Sequence, residues 1–129
     1  MKSILVHPPQ QPIRAEIQLA ASKSECNRAL IINALTGFQS ELTNISEARD
    51  SQTMLRLLNS SEPVADVIDA GTTMRFLTAY FSVTGQKKTM TGTARMCERP
   101  IGILVDALRK LGADISYEKV EGYPPLQLN

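Results

Sequence analysis

Apolar residues recur at two different spacings along the chain, and the spacing predicts which segments are strands and which are helices. Residues 13–19 (IRAEIQL) alternate strictly between apolar and polar, which is typical of a strand with one buried face. From about residue 24 to residue 35, apolar side chains occur almost all round the helix. This pattern predicts a helix that is buried on most sides, ended by Gly37 in a left-handed conformation.

The middle of the chain repeats the change from strand spacing to helix spacing. Residues 42–45 are predicted to form a short strand, and Asp50 is the predicted cap of a helix that contains Met54, Leu55 and Leu58. A second apolar run, residues 64–68, leads into DAGTTMRFLTAYFS. Apolar residues recur there at helical spacing, so we predict a strand, a turn bearing hydroxyl groups, and a helix.

The last third gives the clearest pattern. Residues 88–91 form a weak strand, and from Pro100 one apolar stripe predicts a helix with proline in its first turn and Gly112 at its end. An alternating segment over residues 113–118 and the extended LQL near the end follow. This order of elements predicts a mixed α/β (α+β) fold with a βαβαββ unit over about residues 20–129. An N-terminal strand segment, residues 1–19, precedes the unit. We expect residues 1–129 to form a single partial lobe.

Composition narrows the classes of function. With 129 residues, of which 43% are hydrophobic, the chain can bury one ordinary core. Its 14 Lys and Arg nearly balance 13 Asp and Glu and aromatic residues are few, so we expect no nucleic-acid partner. No signal sequence or membrane segment is predicted. Cys26 and Cys97 stand far apart and His7 is the only histidine, which favours a reducing cytoplasm and no metal site.

Three predicted helices have cations and hydroxyl groups at their N-termini, which we call entrances. The free backbone N–H groups of a helix N-terminus together with such side chains attract anions. The first, in SKSECNRAL, offers Lys23 and Ser24, with Arg28 about one turn further along. Serine at a helix start is usually only a cap, and a surface arginine is usually solvated. One such entrance alone therefore favours a structural role over a functional one.

The second of these helix starts offers Gly71 and the side chains of Thr72, Thr73 and Arg75. The third places Arg95 and Arg99 four residues apart, just before the helix that Pro100 opens. Because arginine matches carboxylate and phosphate oxygens, three convergent entrances would suit a ligand with two or more acidic groups. No GxGxxG or GxxxxGK[ST] motif is present.

Four segments, SKSECNRAL, DAGTTMRFLTA, GTARMCERPIGILVDALRKLGADI and EGYPPLQL, together resemble the signature segments of the 5-enolpyruvylshikimate-3-phosphate synthase family in order, from about residue 19 to residue 128. The resemblance implies transfer of the enolpyruvyl group of phosphoenolpyruvate to shikimate 3-phosphate without metal or organic cofactor. It also implies an inside-out α/β barrel and a monomer for the complete enzyme, with small anionic substrates as partners.

Position by position, Lys23 resembles the catalytic lysine that contacts both substrates, and Ser24 and Arg28 resemble ligands of shikimate 3-phosphate. Gly71 and Arg95 resemble groups that hold phosphoenolpyruvate. The remaining motif residues, which we expect to support the loop, are Asp69, Thr72 and Arg75.

The sequence departs from the family pattern in three places. Phe76 stands where many members have proline, and the stretch between Met54 and Asp69 is shorter than expected. The family's acid/base carboxylates lie in a region beyond the length of this chain, so we expect no turnover by these residues alone. Two alternatives stay open: a UDP-N-acetylglucosamine enolpyruvyl transferase, although Ala94 occupies the place of its reactive cysteine, and a non-catalytic anion-binding module.

Overall fold

The computed structural model describes residues 2–129 and contains five helices and four strands within that range. Their bounds, in chain order, are α1 Lys23–Leu35, α2 Arg49–Leu58, β1 Val64–Asp66, α3 Gly71–Val83, β2 Lys88–Thr91, α4 Ala94–Cys97, α5 Gly102–Lys110, β3 Ile115–Tyr117 and β4 Leu126–Leu128. From β1 onward the order is strand, helix, strand, helices, strand, strand. The predicted mixed α/β class is confirmed, with the βαβαββ order beginning at β1.

The four strands form one mixed sheet in the order β1-β2-β4-β3. β1 runs parallel to β2, whereas β4 is antiparallel to both β2 and β3. Met90 pairs with Ala65 on one side and with Leu126 on the other, and all three side chains are buried. The opposite face carries polar residues such as Thr89 and Gln127, so the helices cover only one face of the sheet.

Helix α3 occupies the centre of the fold, because it contacts α1, α2 and α5 as well as β2 and β4. Its apolar residues recur at helical spacing and are buried in the core: Met74, Leu77, Tyr80 and Phe81. The sequence prediction of this helix is confirmed. So is the left-handed conformation of Gly37 after α1, at φ 77°.

Residues 13–19 are not a strand in this structure. Their apolar side chains are largely exposed, with Ile13 at 74% and Leu19 at 84%, and no neighbouring strand pairs with them. Strict alternation gives a segment one apolar face, but a strand also needs a partner for its backbone groups. The predicted strand at residues 42–45 is wrong for the same reason, and Asn44 instead has a positive φ of 53°.

Two helices also differ from their predicted form. Only Asn27, Leu30 and Ala34 of α1 are buried, and Ile32 is 62% exposed, since α2 and α3 cover only one side of α1. Helix α2 begins at Arg49 and has no side-chain cap. Asp50, the predicted cap, is instead the second residue of the helix.

Helix α5 begins at Gly102, so Pro100 precedes the helix by two residues instead of lying in its first turn. The backbone N–H of Ile101 donates to the carbonyl of Gly122 at 2.8 Å, which holds the start of α5 against the segment before β4. Gly112 ends the helix as predicted, at φ 99°.

Candidate anion-binding site

The two parallel strands end side by side, and the segments that follow them form a cleft. Asp66 of β1 pairs in register with Thr91 of β2, so α3 and α4 both begin at this edge of the sheet. The backbone N–H of Thr93 donates to the carbonyl of Ile68 at 2.8 Å and ties the two connections together. In α/β folds, ligands bind outside the carboxyl ends of parallel strands.

The connection from β1 to α3 is held in an unusual conformation. Ile68 has a φ of 59°, which is rare for a β-branched residue. The Asp66 carboxylate accepts a hydrogen bond from the backbone N–H of Ile68 at 2.8 Å, which stabilises the turn locally. This turn sets the direction in which Asp69 and the start of α3 leave the sheet.

Helix α3 begins without a cap. Its N-cap residue is Ala70, whose side chain cannot accept a hydrogen bond, and no side-chain cap is present. The first residue, Gly71, is buried, and the guanidinium of Arg99 lies against it. The positive end of a helix dipole therefore faces a cation, an arrangement that an anion between them would stabilise.

A cleft of about 530 Å³ opens at this place, lined by Asp69, Arg95, Met96 and Arg99. Arg95 belongs to the short helix α4, which the sequence analysis did not predict, and Thr93 caps that helix by accepting from the backbone N–H of Met96 at 3.3 Å. Within residues 2–129, neither Arg95 nor Arg99 has a carboxylate within 4.0 Å. Both guanidinium groups are thus free to bind an acidic ligand.

Arg75 serves a different purpose. Its guanidinium donates to the carbonyl of Gly71 at 3.1 Å and to that of Pro100 at 2.8 Å. It therefore links the first turn of α3 to the segment before α5. This geometry fits the loop-supporting role that we predict for Arg75.

Helix α1 reaches the same edge through its first residue. The Lys23 ammonium lies 3.5 Å from the carboxylate of Asp50, in the first turn of α2, and half of the lysine side chain is exposed. Asp50 in turn accepts, through its backbone carbonyl, a hydrogen bond from the hydroxyl of Thr73 at 2.9 Å. The beginnings of α1, α2 and α3 are therefore joined by direct contacts.

A second ion pair joins α2 to the cleft. Arg49 donates to the carboxylate of Asp69 at 3.0 Å, and both side chains are more than half exposed. Further along α1, Arg28 bonds to the hydroxyl and the carbonyl of Ser24. Neither Ser24 nor Arg28 lines the cleft beside α3.

The charged side chains that line the cleft or bond to its walls include more cations than carboxylates. The cations are Arg49, Arg75, Arg95 and Arg99, and the carboxylates are Asp66 and Asp69. The ion pair of Lys23 with Asp50 lies beside them. An excess of cations beside helix N-termini can bind and orient a ligand with more than one anionic group.

Sequence reasoning did not assign a role to Arg49 or to the contact between Arg99 and Gly71. Arg49 pairs with a residue 20 positions away, and no local pattern indicates such a pair. Arg99 was detectable in part, because it lies four residues after Arg95 in the third predicted entrance. None of the helices in residues 2–129 has the length and apolar character that a membrane span requires.

Comparison with known proteins shows which family the chain resembles in sequence. The sequence profile described as EPSP synthase (3-phosphoshikimate 1-carboxyvinyltransferase) matches residues 8–62 and 57–129. A 3-phosphoshikimate 1-carboxyvinyltransferase of Bacteroides fragilis is 52% identical over 128 residues, which are 99% of this chain and 31% of that protein. The one from Shewanella baltica is 37% identical over 155 residues, covering 100% of this chain and 36% of that protein.

The family profile matches the chain in two parts that overlap at residues 57–62, around the end of α2. The Shewanella alignment extends over 155 residues against the 129 of this chain, whereas the Bacteroides alignment extends over 128. The Shewanella relative therefore carries extra residues within the aligned region.

Solved structures agree at the level of the fold. The EPSP synthase of Acinetobacter baumannii superposes with a TM-score of 0.75 over 88% of this chain and 31% of its own length, at 20% sequence identity. The chain spans about a third of the length of its curated relatives. On the profile match and the sequence identity, the chain belongs to the EPSP synthase (3-phosphoshikimate 1-carboxyvinyltransferase) family.

Proposed function

We propose that this chain is the N-terminal, substrate-binding part of an enzyme that transfers the enolpyruvyl group of phosphoenolpyruvate to shikimate 3-phosphate. Membership of the family supports the reaction. The single structural observation that carries the proposal is the uncapped start of α3 beside two guanidinium groups, Arg95 and Arg99, that have no carboxylate partner in residues 2–129.

Both substrates carry phosphate, and phosphoenolpyruvate also carries a carboxylate. We assign phosphoenolpyruvate to the cleft at α3, where Gly71 allows close approach to the backbone and Arg95 supplies a fork of donors. Arg99 adds a second guanidinium there. Shikimate 3-phosphate is assigned to the start of α1, with Ser24 and Arg28 as ligands.

Lys23 joins the two halves of the site. It begins α1, and its partner Asp50 is bonded to the first turn of α3 through Thr73. An ammonium between two bound anions would hold them close together and stabilise charge that develops during transfer. Lys23 is therefore the catalytic residue of this chain, while Asp69, Thr72 and Arg75 support the loop.

The remainder of the enzyme follows from the family alone. The acid/base carboxylates would lie in the two thirds of the relatives' length that this chain does not span. We propose that the complete enzyme is monomeric and cytoplasmic, and that it uses neither metal nor organic cofactor. The 129-residue chain by itself should bind anions without turning them over.

Thermal unfolding of the purified chain with different anions tests the proposal. A ligand at about 100 times its Kd stabilises a folded protein by about 2.7 kcal/mol, so specific binding raises the melting temperature. We expect shikimate 3-phosphate to raise it at concentrations where inorganic phosphate and UDP-N-acetylglucosamine do not. Equal effects of shikimate 3-phosphate and inorganic phosphate would instead favour a non-catalytic anion-binding module. Enolpyruvyl transfer by the isolated chain would contradict the assignment of acid/base groups to the missing part.

A further inference from the structure

Three polar residues are buried where α1, α2 and α3 meet, beside the apolar side chains of the core. Asn27 is 1% exposed, and Ser51 and Thr73 are fully buried. The hydroxyl of Ser51 donates to the side-chain carbonyl of Asn27 at 2.8 Å, and Thr73 donates to the backbone carbonyl of Asp50. We name Asn27, Ser51 and Thr73 the buried junction.

The junction is not the most stable solution for this position. The amide nitrogen of Asn27 is buried and has no hydrogen-bond partner in the part of the chain that the structure describes. An unmet buried donor is destabilising, and buried groups of this kind in native proteins call for an explanation. Leucine, whose side chain has the same branching at Cγ, would avoid the unmet donor and add apolar surface to the core that contains Leu30 and Met54.

Each member of the junction lies next to a residue of the proposed site. Asn27 lies four residues after Lys23 on the same face of α1. Ser51 directly follows Asp50, the partner of Lys23, and Thr73 lies in the first turn of α3, two residues after Gly71. The bonds of the junction and the ion pair of Lys23 thus connect the same helices one turn apart.

Apolar contacts alone would fix the orientation of α1 against its neighbouring helices only weakly. Its buried apolar residues are few, and Ile32 and Leu35 are more than half exposed. Hydrophobic burial is non-directional, so it permits small rotations and shifts of a helix, whereas a hydrogen bond fixes both distance and angle. The bond between Asn27 and Ser51 defines the register of α1 against α2.

We propose that Asn27 and Ser51 are positioning residues for anion binding: they fix α1 against α2 so that Lys23 stays beside Asp50 at the mouth of the site. The inference rests on the proposed function for the identity of the ligand. It requires that the junction contributes to affinity rather than to stability. A residue with a merely structural role would change both quantities in the same direction.

The test is the double variant Asn27→Leu with Ser51→Ala in the 129-residue chain. Removing both hydrogen-bond partners together leaves no unmet group, so the melting temperature should stay the same or rise. The Kd for shikimate 3-phosphate, measured by calorimetry, should increase roughly 3- to 30-fold, as expected for loss of a coupled positioning contact.

The matched control is Thr78→Val. Thr78 is as deeply buried, but its hydroxyl bonds only to Met74 within α3, to the carbonyl at 2.8 Å and to the sulfur at 3.9 Å, and it links no second helix. We expect this variant to leave the Kd unchanged. An unchanged Kd in the double variant, or a loss that merely follows a lower melting temperature, would overturn the inference.

Inorganic phosphate, titrated in parallel, separates this inference from the proposed function. If the parent chain binds phosphate but shows no preference for shikimate 3-phosphate, the proposed function fails. A weaker phosphate affinity in the double variant would still support the positioning role. If the parent chain binds neither anion, both proposals are overturned.

Discussion

The guanidinium of Arg99 packs so closely against Gly71 that a Cβ atom at position 71 would overlap with it. The contact joins the segment between α4 and α5 to the first residue of α3, across 28 positions of sequence. It places a flexible cationic side chain against a buried helix N-terminus. The absence of a side chain at Gly71 therefore gives room to the guanidinium of Arg99.

Gly71→Ala should separate folding from binding. The atoms that an added methyl group would meet belong to the far end of the Arg99 side chain, which can move away at little cost. Alanine also has a higher helix propensity than glycine, by about 0.5–1 kcal/mol. We expect an unchanged or higher melting temperature and weaker anion binding by calorimetry.

Gly92→Ala is the contrasting variant. A methyl group there would lie 2.6 Å from the backbone carbonyl oxygen of Ile68 and against Met96 in the core. Because backbone cannot move aside as a side chain can, we expect a loss of about 1–3 kcal/mol in the free energy of unfolding. Equal stability effects for Gly71→Ala and Gly92→Ala in urea unfolding would contradict this interpretation.

Ile68→Gly should relieve strain. A non-glycine residue in the left-handed region costs roughly 1–2 kcal/mol. This relief should offset both the lost contacts of Ile68, which is 38% exposed, and the chain entropy of about 0.5–1 kcal/mol that glycine loses, so we expect little net change in the free energy of unfolding. The same substitution at Val64, an exposed residue of β1 without positive φ, should instead lower stability. Denaturant unfolding of both variants measures the difference, and a larger loss for Ile68→Gly than for Val64→Gly would be inconsistent with strain at Ile68.

Lys88→Met should loosen the short connection between α2 and β1. The buried ammonium of Lys88 donates to the carbonyls of Ser60 and Glu62, and it also lies 5.4 Å from the centre of the Phe81 ring. Methionine keeps much of the apolar stem but leaves both carbonyls without this donor. We expect a loss of about 1–3 kcal/mol and faster amide exchange at residues 59–63.

The control for this variant is Lys87→Met, which removes an exposed neighbouring charge. Its unfolding free energy should change by less than about 0.5 kcal/mol. If Lys88→Met and Lys87→Met behave alike, the buried lysine does not hold the connection.

Asp69→Asn should tighten non-specific anion binding. The carboxylate lines the same cleft as Arg95 and Arg99 and is half exposed. Removing its charge lowers repulsion of an incoming phosphate, which should decrease the Kd for inorganic phosphate about two- to fivefold at low salt. The gain should fade as salt is added. Asp106→Asn, on the exposed side of α5, is the matched control, and weaker binding by Asp69→Asn would show that the carboxylate supports the ligand instead.

The spacing of apolar residues predicted those elements whose form depends on residues close together in the sequence. Helix α3 and strand β3 could be predicted because the residues of each element determine which of its faces is apolar. The left-handed glycines after α1 and α5 followed from the lack of a side chain. Residues 13–19 have the same kind of local signal but no partner strand in the described chain, and spacing cannot supply one.

The candidate site was predictable only as separate entrances. Lys23, Gly71 and Arg95 could each be named from their neighbours in sequence. The contacts that join the entrances, including the pair of Arg49 with Asp69 and the bond between Ser51 and Asn27, span 20 and 24 positions. Such pairs depend on how the helices pack, and no spacing rule within one element contains that information.

Mapping of bound anions on the chain tests the central claim, that two anions bind side by side at the beginnings of α1 and α3 with Lys23 between them. The measurement is a titration of the isotopically labelled chain with shikimate 3-phosphate and, separately, with phosphoenolpyruvate, followed by backbone amide NMR. We predict saturable shifts at residues 23–28 with shikimate 3-phosphate, saturable shifts at residues 71–73 with phosphoenolpyruvate, and a shift of Lys23 with both. Shifts confined to α5 and the β3–β4 hairpin, or a Lys23 amide that responds to neither anion, would contradict the claim.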